Sequence, residues 1–373
     1  MRVLFTTWSS GGHLAPMVPL ARAFVAAGHQ VRVAVPSGCA SAVAHAGLMS
    51  VPVGTLPRAS GAAAAAPRPH GHWPADWPSR PESLGPEQRG MLRALGDKQV
   101  RIAEAMAQGL VAFARCWQPG LVVHDASTYA GTVAAAALGV PAVGQMWGSA
   151  ALLRLDRQDL HGPPLPGYAR LMRRYGVEPA REPDLWLDPC PPSLALPSAA
   201  RRMAVRFIPY EHAGTPQRGG GPGWGVAAAP PRVCAAWDDA DGPPEAVRDA
   251  LRQAGARRAP GPPHRLPAGC RAVLHQGGGA AVVAAAASGV PQLVVAPRPE
   301  QQLNGARLAL VGAGLLLPPD APAVRVSAAL SGLLEQPSYA SAARELRAEV
   351  RSMAGPEEAV TWLTSPAQAP RAP

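Results

Sequence analysis

The stretch Arg2-Val3-Leu4-Phe5-Thr6-Thr7, with Ser9-Ser10-Gly11-Gly12-His13 and Leu14-Ala15-Pro16 behind it, decides the fold. Residues 2–7 read as a strand around the continuous apolar run Val3-Leu4-Phe5, the pattern of a strand buried on both faces as in a parallel sheet. The glycines allow a tight turn, and a helix pattern runs from about Ala15 to Ala27 with Pro16 in its first turn. Gly28 ends that helix, and Gln30–Val35 alternates as a second, Val-rich strand. A helix over about Ser37–Ala46 and a short strand near Met49–Val53 follow. Strand, helix, strand, helix is the rhythm of a doubly wound α/β domain.

Residues 55–95, rich in Pro, Gly, Ala and Trp, break the rhythm and read as a long loop or insert. A helix over about Leu95–Arg115, a strand at Gly120–His124, a helix at Tyr129–Leu138 and a strand at Ala142–Gln145 resume it. A second break near 211–231 contains Arg218-Gly219-Gly220-Gly221-Pro222-Gly223 and reads as an interdomain linker. The expected division is therefore 1–212, a linker at 213–231, and 232–373, ending in a helix and a disordered tail. In the second unit, strands are expected at Arg232–Trp237, Ala272–His275 and Gln292–Ala296, with helices at Pro243–Ala254, Ala280–Ser288 and Ala340–Met353. Both units are α/β, and no internal repeat is visible.

Composition removes several function classes. A chain of 373 residues with 47% apolar side chains can bury two ordinary cores. Its net charge of +10 raises the question of nucleic acid. However, Lys98 is the one lysine, the arginines are scattered in short pairs, and no basic stripe alternates with aromatics. The five cysteines, with no CxxC spacing, suggest reduced thiols rather than a zinc site or a disulfide framework. No charged segment followed by an apolar one opens the chain, and Ala281–Ala287 is too short to span a bilayer, so a soluble cytoplasmic protein is expected.

Four constellations carry chemistry. His13 sits at a helix N-terminus, where the dipole disfavours the imidazolium and leaves a neutral ring suited to a general base; a capping loop histidine is the plainer alternative. Asp125 ends another parallel strand, in His124-Asp125-Ala126-Ser127, and could hold the tautomer of His13 or simply cap the next helix. His124 should face away from Asp125 as a structural histidine. His275-Gln276-Gly277-Gly278-Gly279 runs from strand to helix, a place where backbone N–H groups bind phosphate. In Pro299-Glu300-Gln301-Gln302-Leu303-Asn304, the carboxylate and carboxamide could contact sugar hydroxyls or serve only to start a helix.

Together these motifs resemble the GT-B glycosyltransferases of family 1 that move deoxysugars onto antibiotics. The resemblance covers most of the chain. It includes Phe5-Thr6-Thr7 through Pro16, His124-Asp125 with Gly139-Val140-Pro141, Leu187 through Leu194, Arg206-Phe207-Ile208-Pro209-Tyr210, and His275 through Gly289-Val290-Pro291-Gln292 to Asn304. It implies two Rossmann-like domains facing a cleft and inverting transfer from a thymidine- or uridine-diphosphate sugar to a polyketide hydroxyl. It also implies His13 as base, Asp125 as its partner, and no metal or cofactor. His275, Gly277, Gly278 and Gly279 would cradle the diphosphate, His275 by donating to a phosphate oxygen, while Glu300 and Gln301 would hold the sugar. The acceptor is expected against the N-terminal domain, with Trp73, Trp77 and Trp147 as apolar contacts. An auxiliary protein or a homodimer is left open as a partner, and neither nucleic acid nor membrane is expected.

The chain also departs from that pattern. Gln276 stands for a second His, Ala281 for a Thr, Glu300 for the usual Asp, and Asp238-Asp239 for a Gly-Thr/Ser turn. Between Cys234 and His275 only one βα step fits, so the second domain is expected to be truncated. Ala259–His264 contains no Trp to stack a nucleobase. These losses motivate a second reading: a degenerate homologue that binds an acceptor or partner without catalysis.

Overall fold

The computed structural model describes residues 1–9, 12–56, 73–210, 232–237, 242–258, 266 and 269–365. The expected linker, Asp238-Asp239, the Ala259–His264 segment and the last eight residues lie outside them.

The first unit is built on seven parallel strands in the order β3-β2-β1-β4-β5-β6-β7. They are β1 (Arg2–Thr6), β2 (Gln30–Val35), β3 (Ser50–Pro52), β4 (Leu121–Asp125), β5 (Ala142–Gln145), β6 (Leu185–Asp188) and β7 (Arg202–Ala204). β1 lies between β2 and β4, with Thr6 opposite both Ala34 and His124. Val3 and Phe5 bury against α1 (Val18–Ala26) and α2 (Ala40–His45) on one face. Leu4 and Val122 bury against α3 (Pro86–Trp117), α4 (Tyr129–Leu138) and α5 (Pro166–Arg174) on the other. A strand covered on both faces has no polar side to alternate with, which is why β1 reads as an unbroken apolar run.

The second unit has five parallel strands: β8 (Val233–Ala236), β9 (Arg257–Arg258), β10 (Ala272–His275), β11 (Gln292–Val295) and β12 (Gly314–Leu317). Their spatial order is β12-β11-β10-β8-β9, and all pairs are parallel. Numbered along the chain this is 2-1-3-4-5, one of the two common doubly wound orders. Between β8 and β10 the described residues hold one helix, α6 (Glu245–Gln253), and the two-residue β9, which matches the shortened domain read from the sequence. The helices α7 (Gly279–Ser288), α8 (Pro299–Leu310), α9 (Ala323–Glu335) and α10 (Pro337–Ser352) complete it.

Two helices differ from the sequence reading. The helix expected over 95–115 begins at Pro86, with the Gly85 N–H bonded to the Gln88 side chain at 2.8 Å. Its first two turns, Pro86 to Arg93, carry only Met91 and Leu92 as large apolar residues and contain Gly90, so no apolar period announces them. Part of the 55–95 insert is thus regular. A further helix, α11 (Pro356–Thr364), follows α10 and returns to the first unit, where Ala359, Val360 and Leu363 join the core under α1. The last helix among the described residues thus belongs to the packing of the first unit, not the second.

Candidate active site

In an open parallel sheet, ligands bind beyond the carboxyl edge where the strand order reverses. In the first sheet this point lies between β1 and β4, where the chain leaving β1 carries His13 and β4 ends at Asp125. The His13 Nδ1–H donates to Asp125 Oδ1 at 3.1 Å, and the His13 side chain keeps 24% of its surface exposed against 2% for Asp125. Asp125 also accepts the Thr128 hydroxyl at 2.6 Å and the Ser127 backbone N–H at 3.0 Å. Burial alone would raise its carboxyl pKa. The bond and charge of His13, with Thr128 and Ser127, outweigh that and hold it below the usual aspartate value. An ionised Asp125 holding the Nδ1 proton leaves the Nε2 lone pair to take a proton from a bound hydroxyl.

Two indoles flank the ring. Trp8 lies 4.9 Å from it and donates its Nε1–H to the Ser127 hydroxyl at 2.8 Å; Ser127 Oγ in turn donates to Asp125 Oδ1 at 3.1 Å. The ammonium of Lys98 sits 5.4 Å from the Trp8 ring. Trp147 also meets His13 at 5.0 Å, edge-on at 68°. The sequence does not mark Trp8, because a lone aromatic beside a glycine turn has no spacing to identify it. His124 faces into the sheet: its Nδ1–H donates to the Asp125 carbonyl at 2.9 Å and its Nε2 accepts from Thr132. Burial lowers its pKa, which suits a neutral structural histidine.

In the second sheet the reversal falls between β8 and β10, so the turn 276–278 and the N-terminus of α7 lie at the corresponding point. Gly277 has φ +89°, and a Cβ there would come within 2.6 Å of Val294. Its carbonyl accepts from Asn304 Nδ2 at 2.8 Å. Gly278 is open on its Cβ side, with nothing within 4 Å. Gly279 abuts the first unit, where a Cβ would stand 2.7 Å from both Gly148 C and Ser149 N. Gly148, at φ +95°, belongs to the loop 146–151 after β5, and Ala150 of that loop donates its N–H to Asn304 Oδ1 at 2.9 Å. The loop therefore seats the first unit on the helix N-termini of the second.

Several expected contacts are corrected here. His275 does not present a donor to the turn: its Nδ1 accepts the Gly277 N–H at 2.9 Å and its Nε2–H donates to Gln292 Oε1 at 2.8 Å. Fully buried, its pKa falls to about 4, so it is a neutral brace for the glycine turn. Gln301 accepts the Arg298 N–H at 3.1 Å and caps α8 with its side-chain oxygen. Glu300 does reach the cleft, where its Oε1 accepts the Trp147 Nε1–H at 3.0 Å. Trp73 and Trp77 are 3% and 1% exposed and pack edge to face at 5.0 Å, with Leu84, Leu92 and Leu160 around them. They anchor the insert as core residues and leave no surface for an acceptor. The Trp73 N–H is bonded to Gln302 on α8 at 3.1 Å, which ties the insert to the second unit.

Among the described residues, no three His, Cys, Asp or Glu side chains are grouped to hold a metal ion, and no helix is long and apolar enough to cross a membrane.

Models of the erythromycin biosynthesis protein CIII-like family match this chain twice, the N-terminal domain over residues 22–217 and the C-terminal domain over 248–365. The 10-deoxymethynolide desosaminyltransferase of Streptomyces venezuelae is 31% identical over 402 residues, covering 94% of this chain and 93% of its own. The TDP-daunosamine transferase DnrS of Streptomyces peucetius is 31% identical over 433 residues, covering 100% and 98%. Because this chain has 373 residues, about sixty of those 433 positions have no counterpart in it. The solved structure of the glycosyltransferase VinC in complex with dTDP superposes with a TM-score of 0.75 at 27% identity, covering 97% and 98%. The spinosyn rhamnosyltransferase SpnG complexed with spinosyn aglycone shares the fold with a TM-score of 0.77 at 24% identity, covering 98% and 100%. With both halves matched by its models, the chain belongs to the erythromycin biosynthesis protein CIII-like family and is a glycosyltransferase of GT-B fold.

Proposed function

We propose that this chain transfers a deoxysugar from a thymidine diphosphate sugar to a hydroxyl of a polyketide aglycone, with inversion at the anomeric carbon. The observation that carries the reading is the placing of two reversal-point sites against one cleft. His13 with its Asp125 partner stands on one side, and the open Gly278 turn at the α7 N-terminus on the other. His13 Nε2 takes the proton of the acceptor hydroxyl, the oxygen attacks the anomeric carbon, and the bond to the nucleoside diphosphate breaks on the opposite face. Asp125 stabilises the imidazolium as it forms. The leaving diphosphate gathers charge at the N-terminal amides of α7, where the helix dipole favours an anion. The choice of thymidine over uridine rests on the relatives, one a TDP-daunosamine transferase and one a structure with dTDP bound. None of the five cysteines is in a disulfide, which agrees with a cytoplasmic site of action.

Titration calorimetry with thymidine diphosphate, followed by transfer assays on His13→Ala, tests the reading. Saturable micromolar binding is expected, and the variant should keep it while losing turnover by about 10³-fold or more. A folded protein that ignores millimolar nucleotide would instead support the non-catalytic homologue. Equal losses of binding and turnover in His13→Ala would remove the base assignment.

A further inference from the structure

Trp147 touches both sides of the cleft. It extends from the loop after β5, on the first unit, and the edge of its ring meets His13 at 5.0 Å. An indole has a single donor, and this one goes to Glu300 Oε1 at 3.0 Å, on the first turn of α8 in the second unit. The backbone beneath it is fixed by the Gly148–Gly279 contact and by the Ala150–Asn304 bond. A purely apolar acceptor contact would account for the ring against His13 but not for a hydrogen bond to a carboxylate across the domain boundary. The carboxylate has two oxygens, so it can keep the indole on one and accept sugar hydroxyls on the other.

We propose that Trp147 is a positioning residue for the donor sugar rather than an acceptor contact. It fixes the Glu300 carboxylate relative to His13, so that a pyranose whose hydroxyl is held by Glu300 presents its anomeric carbon to the oxygen that His13 deprotonates. The inference rests on the glycosyl-transfer reading above. It deepens that reading by making the spacing between sugar clamp and base depend on one interdomain bond.

Trp147→Phe separates the two roles of the side chain, because it keeps a ring against His13 and deletes the N–H. The kcat/KM for the nucleotide sugar is expected to fall about ten- to a hundredfold, the range for a lost hydrogen bond to a charged partner. The Kd for thymidine diphosphate, which carries no sugar, and the KM for the acceptor should each stay within about twofold. In a Glu300→Ala background the same substitution should add less than about twofold, because its partner is already gone. A loss that falls on acceptor KM, a nucleotide Kd that weakens in parallel or disappears, or effects of the two substitutions that multiply would each overturn the proposal. A wild-type protein that binds the nucleotide but transfers no sugar overturns the functional reading and this inference with it. A competent wild type with an unaffected Trp147→Phe overturns this inference alone.

Discussion

Gly278→Ala isolates the proposed diphosphate site from the fold around it. Gly278 has φ −59° and ψ 142°, a backbone conformation alanine adopts without strain, and a Cβ built there meets no atom within 4 Å. Two small terms remain. Alanine restricts the unfolded chain, worth about 0.4–1 kcal/mol in favour of the variant. It is also a poorer residue than glycine at the N-cap of α7, costing on the order of 0.5 kcal/mol. They nearly cancel, so the melting temperature should stay within about 2 °C of wild type. Binding is another matter. A methyl group over the turn occupies the space through which a phosphate oxygen must approach the α7 amides to within about 3 Å. Losing one charge-assisted hydrogen bond costs about 1.5–3 kcal/mol, a Kd weaker by about ten- to a hundredfold. Calorimetric titration with thymidine diphosphate and a thermal melt on the same preparation read both quantities. An unchanged Kd would show that the diphosphate does not cross this turn. The neighbouring glycines provide contrast: Gly277→Ala forces a Cβ against Val294 at a positive φ, and Gly279→Ala drives one into the Gly148 backbone. Both should lose stability and binding together.

Burial of His275 makes stability depend on pH. Its proton binds near pH 4 in the fold and near 6.5 when unfolded, so between those values the unfolded chain holds more protons and stability falls on acidification. From pH 7 to 5 this amounts to about 2 kcal/mol, read as the difference in urea stability between wild type and His275→Gln. A loss of the same size in both proteins would assign the effect elsewhere, His124 being displaced in the same direction. Trp77→Ala should cost about 3–5 kcal/mol in the same urea assay, as a fully buried indole does, and Trp77→Phe under about 1.5. If Trp77 instead contacted the acceptor, both changes would raise acceptor KM with stability intact.

The parts of this molecule that could be read from its sequence are those whose causes lie close together along the chain. β1 declares itself by an apolar run because both its faces are covered. The turn ahead of His13 is marked in the sequence by two adjacent glycines and the helix start behind them. Even the meeting of His13 with Asp125, 112 residues away, follows from a local reading of two strand ends and the rule that they converge where strand order reverses. What could not be read depends on partners the sequence does not specify. His275 looks like a phosphate donor until Gln292 and the Gly277 amide are seen to take both ring nitrogens. Trp73 and Trp77 look like acceptor contacts until Leu84, Leu92 and Leu160 close over them. Gln301 reads equally as clamp or cap until its side-chain oxygen is seen to accept the Arg298 N–H and cap α8.

The glycine run shows most sharply why a motif underdetermines its chemistry. Gly277, Gly278 and Gly279 form one pattern in the sequence, yet three unrelated conditions hold at them: a positive φ over Val294, open space on the Cβ side of Gly278, and contact with Gly148 of the other unit. Only the middle condition concerns a ligand. A homologue that lost donor binding would still need the outer two to keep its domains seated, so the motif supports catalysis through Gly278 alone. The stronger support is the geometry around His13. Asp125 is fully buried with an ionised carboxylate, and it bonds to a histidine that keeps 24% of its side-chain surface exposed. Burying that charge is costly unless it is matched, and an apolar pair of similar volume would serve a purely structural role at least as well. A buried carboxylate with its imidazole partner open to the cleft is what proton transfer from a bound hydroxyl requires.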